Sequence, residues 1–339
     1  MYDGFYNLTK KPFQLNTDPD FFFNSAIHKR AMAYMRYGLT QGEGFVVIIG
    51  TPGLGKTMLV KELVKTLHNQ NIIIGVMVSS QMGAKDTLRV ISTIFGLPFD
   101  SDDKATLLAG IEKFIRDSAE QRKRILLIVD EAQNLPTQSL EELRMISNFE
   151  MYGKIVFQIF LIGQKQLGRT IFAPEMQQLK QRIVATFQLE PLNVEETKQY
   201  ILFRLKKAGW NHKPEFDDKV FHRVHQFTEG IPRRINTLCD RILLFGFLDE
   251  LQVISVDSVE KVISELDDEM ALETIEESKE ASSPALKQYM EDPSIEHRVA
   301  DIEKRMLALQ KTVDKERALL RKALLIQLDM GEIYDENLK

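Results

Sequence analysis

The sequence predicts an α/β fold: a parallel sheet with helices on both faces, followed by a small all-helical domain and a C-terminal helix. Three observations carry this expectation. Short, fully apolar runs such as Phe45-Val46-Val47-Ile48-Ile49 and Ile125-Leu126-Leu127-Ile128-Val129 recur through the first half of the chain. A strand that is apolar at every position is buried on both faces, as strands of a parallel sheet are. Stretches with helical spacing separate these runs, and beyond Pro191 only the helical spacing remains.

Taken in order, Phe45–Ile49 is the first strand. Leu59, Val60, Leu63, Val64 and Leu67 follow it at helical spacing. Ile72–Val78, Ile125–Val129, Ile155–Ile162 and Ala185–Leu189 are the next four strands, with helices over Leu107–Ser118 and Ser139–Phe149 between them. Strands alternating with helices are joined by crossovers, which lay the helices over both faces of the sheet. After Pro191, Asn193 with Glu196 three residues on reads as a capping box. Ile201, Leu202 and Leu205 give that helix an apolar face. A second helix through Val220, Val224 and Phe227 breaks at Gly230-Ile231-Pro232, and a third carries Ile235, Leu238, Ile242 and Leu243.

These elements divide the chain into an N-terminal segment (1–40), an α/β domain (41–192) and a helical lid domain (193–266). Residues 267–293 are acidic, contain Pro284 and Pro293, and read as a linker. Ile295, Val299, Ile302, Met306, Leu309 and Val313 alternate spacings of four and three, a heptad seam that makes 294–339 a C-terminal heptad helix. Spacing leaves open whether that helix pairs with another chain or folds back on its own body.

At 339 residues and 44% hydrophobic content the chain is long enough for two domains with a large core. A single cysteine, Cys239, excludes an internal disulfide. No basic segment followed by an apolar run opens the chain, and no stretch approaches ~18 apolar residues. The expected location is the cytoplasm, without direct membrane insertion. The net charge of −5 is uneven: residues 267–339 hold 18 acidic against 11 basic side chains, leaving 31 against 33 in the rest. A near-neutral body lacks the basic excess that marks nucleic-acid binding by charge, so nucleic acid is the less favoured partner.

Gly50-Thr51-Pro52-Gly53-Leu54-Gly55-Lys56-Thr57 matches G-x-x-x-x-G-K-[ST], with a strand before it and a helix after it, and these residues together with Met58 are the candidates for nucleotide binding. Glycines let the backbone curl so that several N–H groups point inward at phosphate oxygens, and the helix adds its positive N-terminal end. Lys56 would reach the β- and γ-phosphates of ATP, and the Thr57 hydroxyl would ligate Mg²⁺. Asp130-Glu131 follows the third strand, at the end of the sheet where ligands bind. Asp130 would hold Mg²⁺ through water, and Glu131 would orient and polarise the attacking water. Gln164, ending the fourth strand, is a candidate for the γ-phosphate or the water, with an ordinary polar loop residue as the alternative. Arg182, just before the fifth strand, is a candidate for the γ-phosphate of a neighbouring subunit, with an ordinary surface arginine as the alternative. Arg233, at a helix start in the lid, is a candidate for the γ-phosphate of its own subunit, with a helix-end surface charge as the alternative. The six histidines show no metal-ligand spacing.

This order of loop, acid pair, strand-end glutamine, arginine and Gly-x-Pro-Arg lid resembles the AAA+ superfamily of P-loop ATPases over roughly residues 40–266. The resemblance implies a sheet order of 5-1-4-3-2 and ATP bound between adjacent subunits of a ring or filament. It gives Gln164 the role of sensor 1, Arg182 that of arginine finger and Arg233 that of sensor 2, with Arg234 an adjacent competitor. A narrower resemblance lies at the front, in Phe5-Tyr6-x-Leu8, Pro12-Phe13, Asp18-Pro19-x-Phe21-Phe22-Phe23, Ser25, His28 and Ala31. Tyr37-Gly38-Leu39, Gln41-Gly42-Glu43-Gly44-Phe45 and Asp130-Glu131-Ala132-Gln133 continue it. These are similar to the ExeA/GspA-type secretion ATPases, most of all to the ATPase of exosortase (XrtA/PEP-CTERM) exopolysaccharide systems. ExeA carries a membrane-spanning helix and a peptidoglycan-binding region without counterparts here, which leaves direct cell-wall contact in doubt.

Two functional expectations follow. The first is an oligomeric ATPase that energises or regulates an envelope secretion or exopolysaccharide export system, touching the inner membrane only through a protein partner. The second is a DNA-associated ATPase resembling the transposition regulators MuB and TnsC. The opening motif and the charge distribution lean toward the first.

Overall fold

Five strands form one sheet, and the alternation of side chains along each explains its two-sided cover. They are β1 (Phe45–Ile49), β2 (Ile72–Val78), β3 (Arg124–Asp130), β4 (Phe157–Gly163) and β5 (Ile183–Gln188). All neighbouring pairs are parallel, in the order β2-β3-β4-β1-β5. Read from the other edge, this is the 5-1-4-3-2 order that the resemblance implied. The computed structural model describes residues 2–280 apart from 16–17, 68–70, 80–82, 101–102 and 152–153. The expected heptad helix at 294–339 therefore lies outside the described residues, as does the linker from 281 onward.

On one face of the sheet Phe45, Val47, Ile49, Ile125, Leu127, Val129, Ile159 and Leu161 form a continuous core. Leu88 and Ile91 of α3 (Ala84–Ile94), Leu107, Ile111 and Ile115 of α4 (Lys104–Glu120), and Leu140, Leu143 and Ile146 of α5 (Thr137–Ile146) complete it. So do Leu167 and Ile171 of α6 (Lys165–Ile171). The intervening residues Val46, Ile48, Leu126, Ile128, Phe160 and Ile162 face the other way, under Ala31, Met35 and Leu39 of α1 (Ala26–Gln41) and Leu59, Leu63 and Leu67 of α2 (Lys56–Leu67). Period-two alternation into two cores is the pattern of a sheet buried on both sides.

Beyond the sheet come α7 (Val194–Lys207), α8 (Asp218–Thr228), α9 (Pro232–Leu248) and α10 (Val256–Glu280). The capping box of Asn193 and Glu196 is present on both sides: Glu196 N–H donates to Asn193 Oδ1 at 2.8 Å and Asn193 N–H to Glu196 Oε2 at 3.3 Å. Met1–Glu265 forms one compact unit. α10 continues to Glu280, so the first part of the expected linker is helical.

Some boundaries differ from the sequence pattern for local reasons. α5 stops at Ile146, not Phe149, because Ser147 Oγ donates back to the Arg144 carbonyl and tight turns carry the next two residues. The fourth strand starts at Phe157, since Lys154–Ile155 pairs instead with Glu150–Met151 in a separate hairpin. α1, α3 and α6 were not anticipated, although Leu88, Ile91 and Ile94 of α3 and Ala31, Met35 and Leu39 of α1 recur at helical spacing.

The approach of α1 to the sheet depends on one glycine. A Cβ on Gly38 would stand 2.2 Å from Val46 Cγ2, and both partners are pinned, one in a helix and one in a buried strand. Gly38→Ala is expected to lower stability by about 1–3 kcal/mol, the cost of overpacking. A chemical denaturation midpoint that does not move would show that α1 shifts freely on β1.

Candidate functional site

The ends of β1, β3 and β4 lie level, and this brings the predicted residues together. Ile49 is paired with Gly163, and Gly50 N–H donates to the Gly163 carbonyl at 3.1 Å. Val129 is paired with Leu161. The loops leaving these three strands therefore start side by side. They open into a cleft of about 620 Å³ lined by Pro52 to Met58, Glu131, Gln133, Gln164 and Arg233, among others.

Two glycines shape the curl of the loop from Gly50 to Thr57. Gly53 and Gly55 take φ of 83° and 88°, the left-handed region that favours glycine. Lys56 is 5% exposed, and its Nζ donates to the carbonyls of Gly50 at 3.0 Å and Thr51 at 3.1 Å. Burial pulls its pKa below the usual lysine range, while Glu131 and Asp130 pull it back up. A buried ammonium answered by neutral carbonyls is under-compensated, and an anion in the curl would restore its preference for the charged form. The residues present fit a phosphate chain.

Thr57 Oγ1 donates to Asp130 Oδ2 at 2.7 Å, so the loop and the end of β3 meet through the two side chains expected at a cation. Asp130 is buried, and its Oδ1 accepts from Glu131 N–H at 3.0 Å. A hydroxyl and a carboxylate side by side are hard oxygen donors, the type that Mg²⁺ takes while keeping water and phosphate ligands. This donor set fits Mg²⁺ as well.

Glu131 is held in an uncommon backbone conformation, φ 54° and ψ 36°. A non-glycine residue there costs about 1–3 kcal/mol and persists only when its surroundings fix it. Ser79 Oγ donates to the Glu131 carbonyl at 2.5 Å. The carboxylate accepts from Gln133 Nε2 at 2.6 Å and from Gln164 Nε2 at 3.3 Å, both at Oε2. Gln164 N–H donates to Gln133 Oε1 at 3.0 Å, which fixes the orientation of the Gln133 amide. Gln133 was legible in the sequence only as part of the family motif; its contact with Glu131 was not anticipated.

The two lid arginines separate. Arg233 lines the cleft, and its N–H donates to the Gly53 carbonyl at 3.2 Å. Arg234 turns away, bonded to Glu229 Oε1 at 2.9 Å and to the Phe227 carbonyl at 2.8 Å, with its guanidinium over the Phe227 ring. Arg182 does not join the cleft of its own chain. It precedes β5, where its carbonyl accepts from Phe45 N–H at 2.9 Å, one strand length or about 13 Å from the loop after β1.

The N-terminal segment supplies a wall that the sequence did not foretell. Phe21, Phe22, Phe23, Leu15 and His28 line the cleft together with Tyr200, Arg204 and Asn236 of the lid. Arg204 is buried; it donates to the carbonyls of Pro12 at 2.6 Å and Gln14 at 3.3 Å, and to Tyr200 Oη at 2.9 Å. Its guanidinium lies over the Phe21 ring at 5.0 Å. Tyr2 donates to Asp240, and Thr9 N–H to the Ala208 carbonyl, so this strap is stitched along the lid helices.

Residues 39–171 match the family model described as an AAA domain. The ORC2 protein of Aeropyrum pernix, solved as ADPNP–ADP complexes, has a TM-score of 0.57 at 16% identity over 76% of this chain and 71% of that one. The Cdc6p of Pyrobaculum aerophilum has a TM-score of 0.58 at 14% identity, over 78% and 70%.

The fold is the AAA+ fold. Among curated proteins, the General secretion pathway protein A of Aeromonas hydrophila is 37% identical over 251 residues, 73% of this chain and 45% of that protein. The chain thus spans less than half the length of this relative. Among the described residues, no helix is long and apolar enough to cross a membrane.

The divergence of the lid arginines gives a direct test. Arg233→Ala is expected to weaken binding of a fluorescent triphosphate analogue about tenfold, the size of one charge-assisted hydrogen bond. Arg234→Ala should leave binding unchanged, because its guanidinium is engaged within the lid. Equal effects from both substitutions would contradict this division.

Proposed function

We propose that this chain binds ATP with Mg²⁺ and hydrolyses it to ADP and phosphate, as the ATPase of an envelope secretion assembly. The observation that carries the ATPase reading is the convergence of Lys56, Thr57, Glu131 and Gln164 on one cleft around a buried, under-compensated ammonium, with Asp130 bonded to Thr57 at its edge. The loop from Gly50 to Thr57, with Met58 beside it, holds the phosphates. Thr57 and Asp130 hold Mg²⁺, which when bound offsets phosphate charge and orients the terminal group. Glu131 orients and polarises the attacking water, with Gln164 beside it. Arg233 reaches the γ-phosphate from the lid, and Arg182 acts on the cleft of a neighbouring copy.

What supports the secretion reading over a DNA-associated one is the 37% identical relative named for the general secretion pathway, together with the opening motif. Within it we favour exopolysaccharide export, a ring or filament of copies, and a protein partner that brings the assembly to the inner membrane. The division into a segment 1–40, an ATPase domain 41–192 and a lid 193–266 belongs to the same proposal. So does the tail beyond 267, with its acidic linker and heptad helix, as the part that meets the partner.

Lys56→Ala is expected to abolish ATP binding, since the triphosphate loses its main cation. Glu131→Gln should keep binding and lose turnover, because only the water-orienting group changes. Affinity and turnover measured separately check the pair; parental turnover by Glu131→Gln would remove that assignment.

Arg182 is tested in mixtures. Arg182→Ala should retain affinity and lose roughly 10³–10⁵ in rate, the range for an arginine finger. Mixed with Lys56→Ala, it should regain part of the activity, since some interfaces then join a sound cleft to a sound arginine. A co-assembled mixture no more active than its components would make Arg182 a surface residue.

A further inference from the structure

We propose that His28 is a positioning residue for the phosphate loop, holding the Leu54 carbonyl from α1 and so keeping the loop in its phosphate-receiving curl. This deepens the nucleotide reading above and rests on it. His28 lies outside residues 39–171 and is 4% exposed. Its Nε2 is 3.0 Å from the Leu54 carbonyl oxygen, and its Nδ1 is 2.8 Å from Ser25 Oγ. A carbonyl only accepts, so Nε2 carries the proton, and in the neutral ring Nδ1 accepts from the Ser25 hydroxyl. Burial keeps the ring's pKa below the usual histidine range, which favours that neutral form. The ring also lies against Gly55, where a Cβ would stand 3.2 Å from Nε2. Leu54 and Gly55 are the two residues before Lys56, so the contact sets the part of the loop that aims the ammonium.

The other end of the linkage is tied to the lid. Ser25 caps α1, and the next residue, Ala26, donates its N–H to Glu196 Oε1 at 3.1 Å. Glu196 is the same residue that closes the capping box of α7. Phe22, which lines the cleft, packs edge-on to the His28 ring at 5.6 Å. A short path therefore runs from the start of the lid, through the N-terminus of α1 and the His28 ring, to the loop. A histidine that only filled space would need its shape and not its Nε2 proton.

Three substitutions in the full chain separate these roles. His28→Phe keeps a ring and loses the donor. His28→Gln places an amide N–H near the position of Nε2, whereas His28→Asn is one methylene too short to reach it. Affinity for a fluorescent ATP analogue with Mg²⁺, steady-state KM and kcat, and the Tm of the nucleotide-free protein are measured for each. His28→Phe and His28→Asn should weaken affinity and raise KM about tenfold with kcat within about twofold, while His28→Gln stays within about threefold of the parent. Phe or Asn variants that bind like the parent would overturn the proposal. So would a Gln variant as weak as the Asn variant. If the Phe variant does not fold, the Asn and Gln pair, alike in polarity, decides the matter. A parent chain that binds no nucleotide overturns the reading of the cleft itself, a result distinct from parent-like binding by the Asn variant.

Discussion

The site depends on the register between β1 and β4. Because Ile49 stands beside Gly163, and Gly50 bonds the Gly163 carbonyl, the two strands end together. β3 ends level with them through its pairing with β4. A shift of one residue would exchange the faces of every side chain in a strand, exposing half of each core. The two apolar layers thus lock the register, and the locked register places Lys56, Glu131 and Gln164 around one space. Core packing and site geometry are the same constraint seen from two ends of the sheet.

Electrostatics at the cleft is left unbalanced. Lys56 is buried against neutral carbonyls, Asp130 is buried against a hydroxyl, and Glu131 is strained and held by two amides. Lys56 bonds carbonyls of its own loop, while Thr57 reaches Asp130 and Gln164 reaches Glu131 across neighbouring strand ends, so these groups are held by bonds already in place. Preorganised charge of this kind needs little rearrangement at the moment of reaction. Gln133 has a particular part here, since its amide spans Glu131 and the backbone of Gln164, linking the ends of β3 and β4.

The remaining wall belongs to the strap and the lid. Arg204 holds the Pro12 and Gln14 carbonyls and stacks on Phe21, so the strap and α7 share contacts along the cleft. Arg233 and Gly53 bring the start of α9 against the phosphate loop; a Cβ on Gly53 would stand 2.7 Å from that of Arg233. That close approach adds a reason for glycine beyond the left-handed backbone. Elements from both ends of the compact unit therefore meet on one loop.

The sequence by itself determined the strands, the loop and the acid pair. Each is a local pattern: a run of apolar residues buried on both faces, glycines at fixed offsets before Lys56, and two acids at the end of a buried strand. α1 and α3 were missed although their apolar residues recur at helical spacing, Ala31, Met35 and Leu39 in one and Leu88, Ile91 and Ile94 in the other, because polar residues between them interrupt any continuous apolar run. Tertiary structure alone decided which lid arginine faces the cleft, because Arg233 and Arg234 differ only in what surrounds them: Gly53 for one, Glu229 and Phe227 for the other. It alone brought His28 to Leu54, Gln133 to Glu131 and Arg204 to Pro12, and set Arg182 apart from its own cleft. Apart from Gln133 and Glu131, whose contact depends on how a strained backbone turns between them, these partners are far apart in the chain. No local periodicity encodes such contacts; they exist because the packed sheet carries distant segments to the same edge.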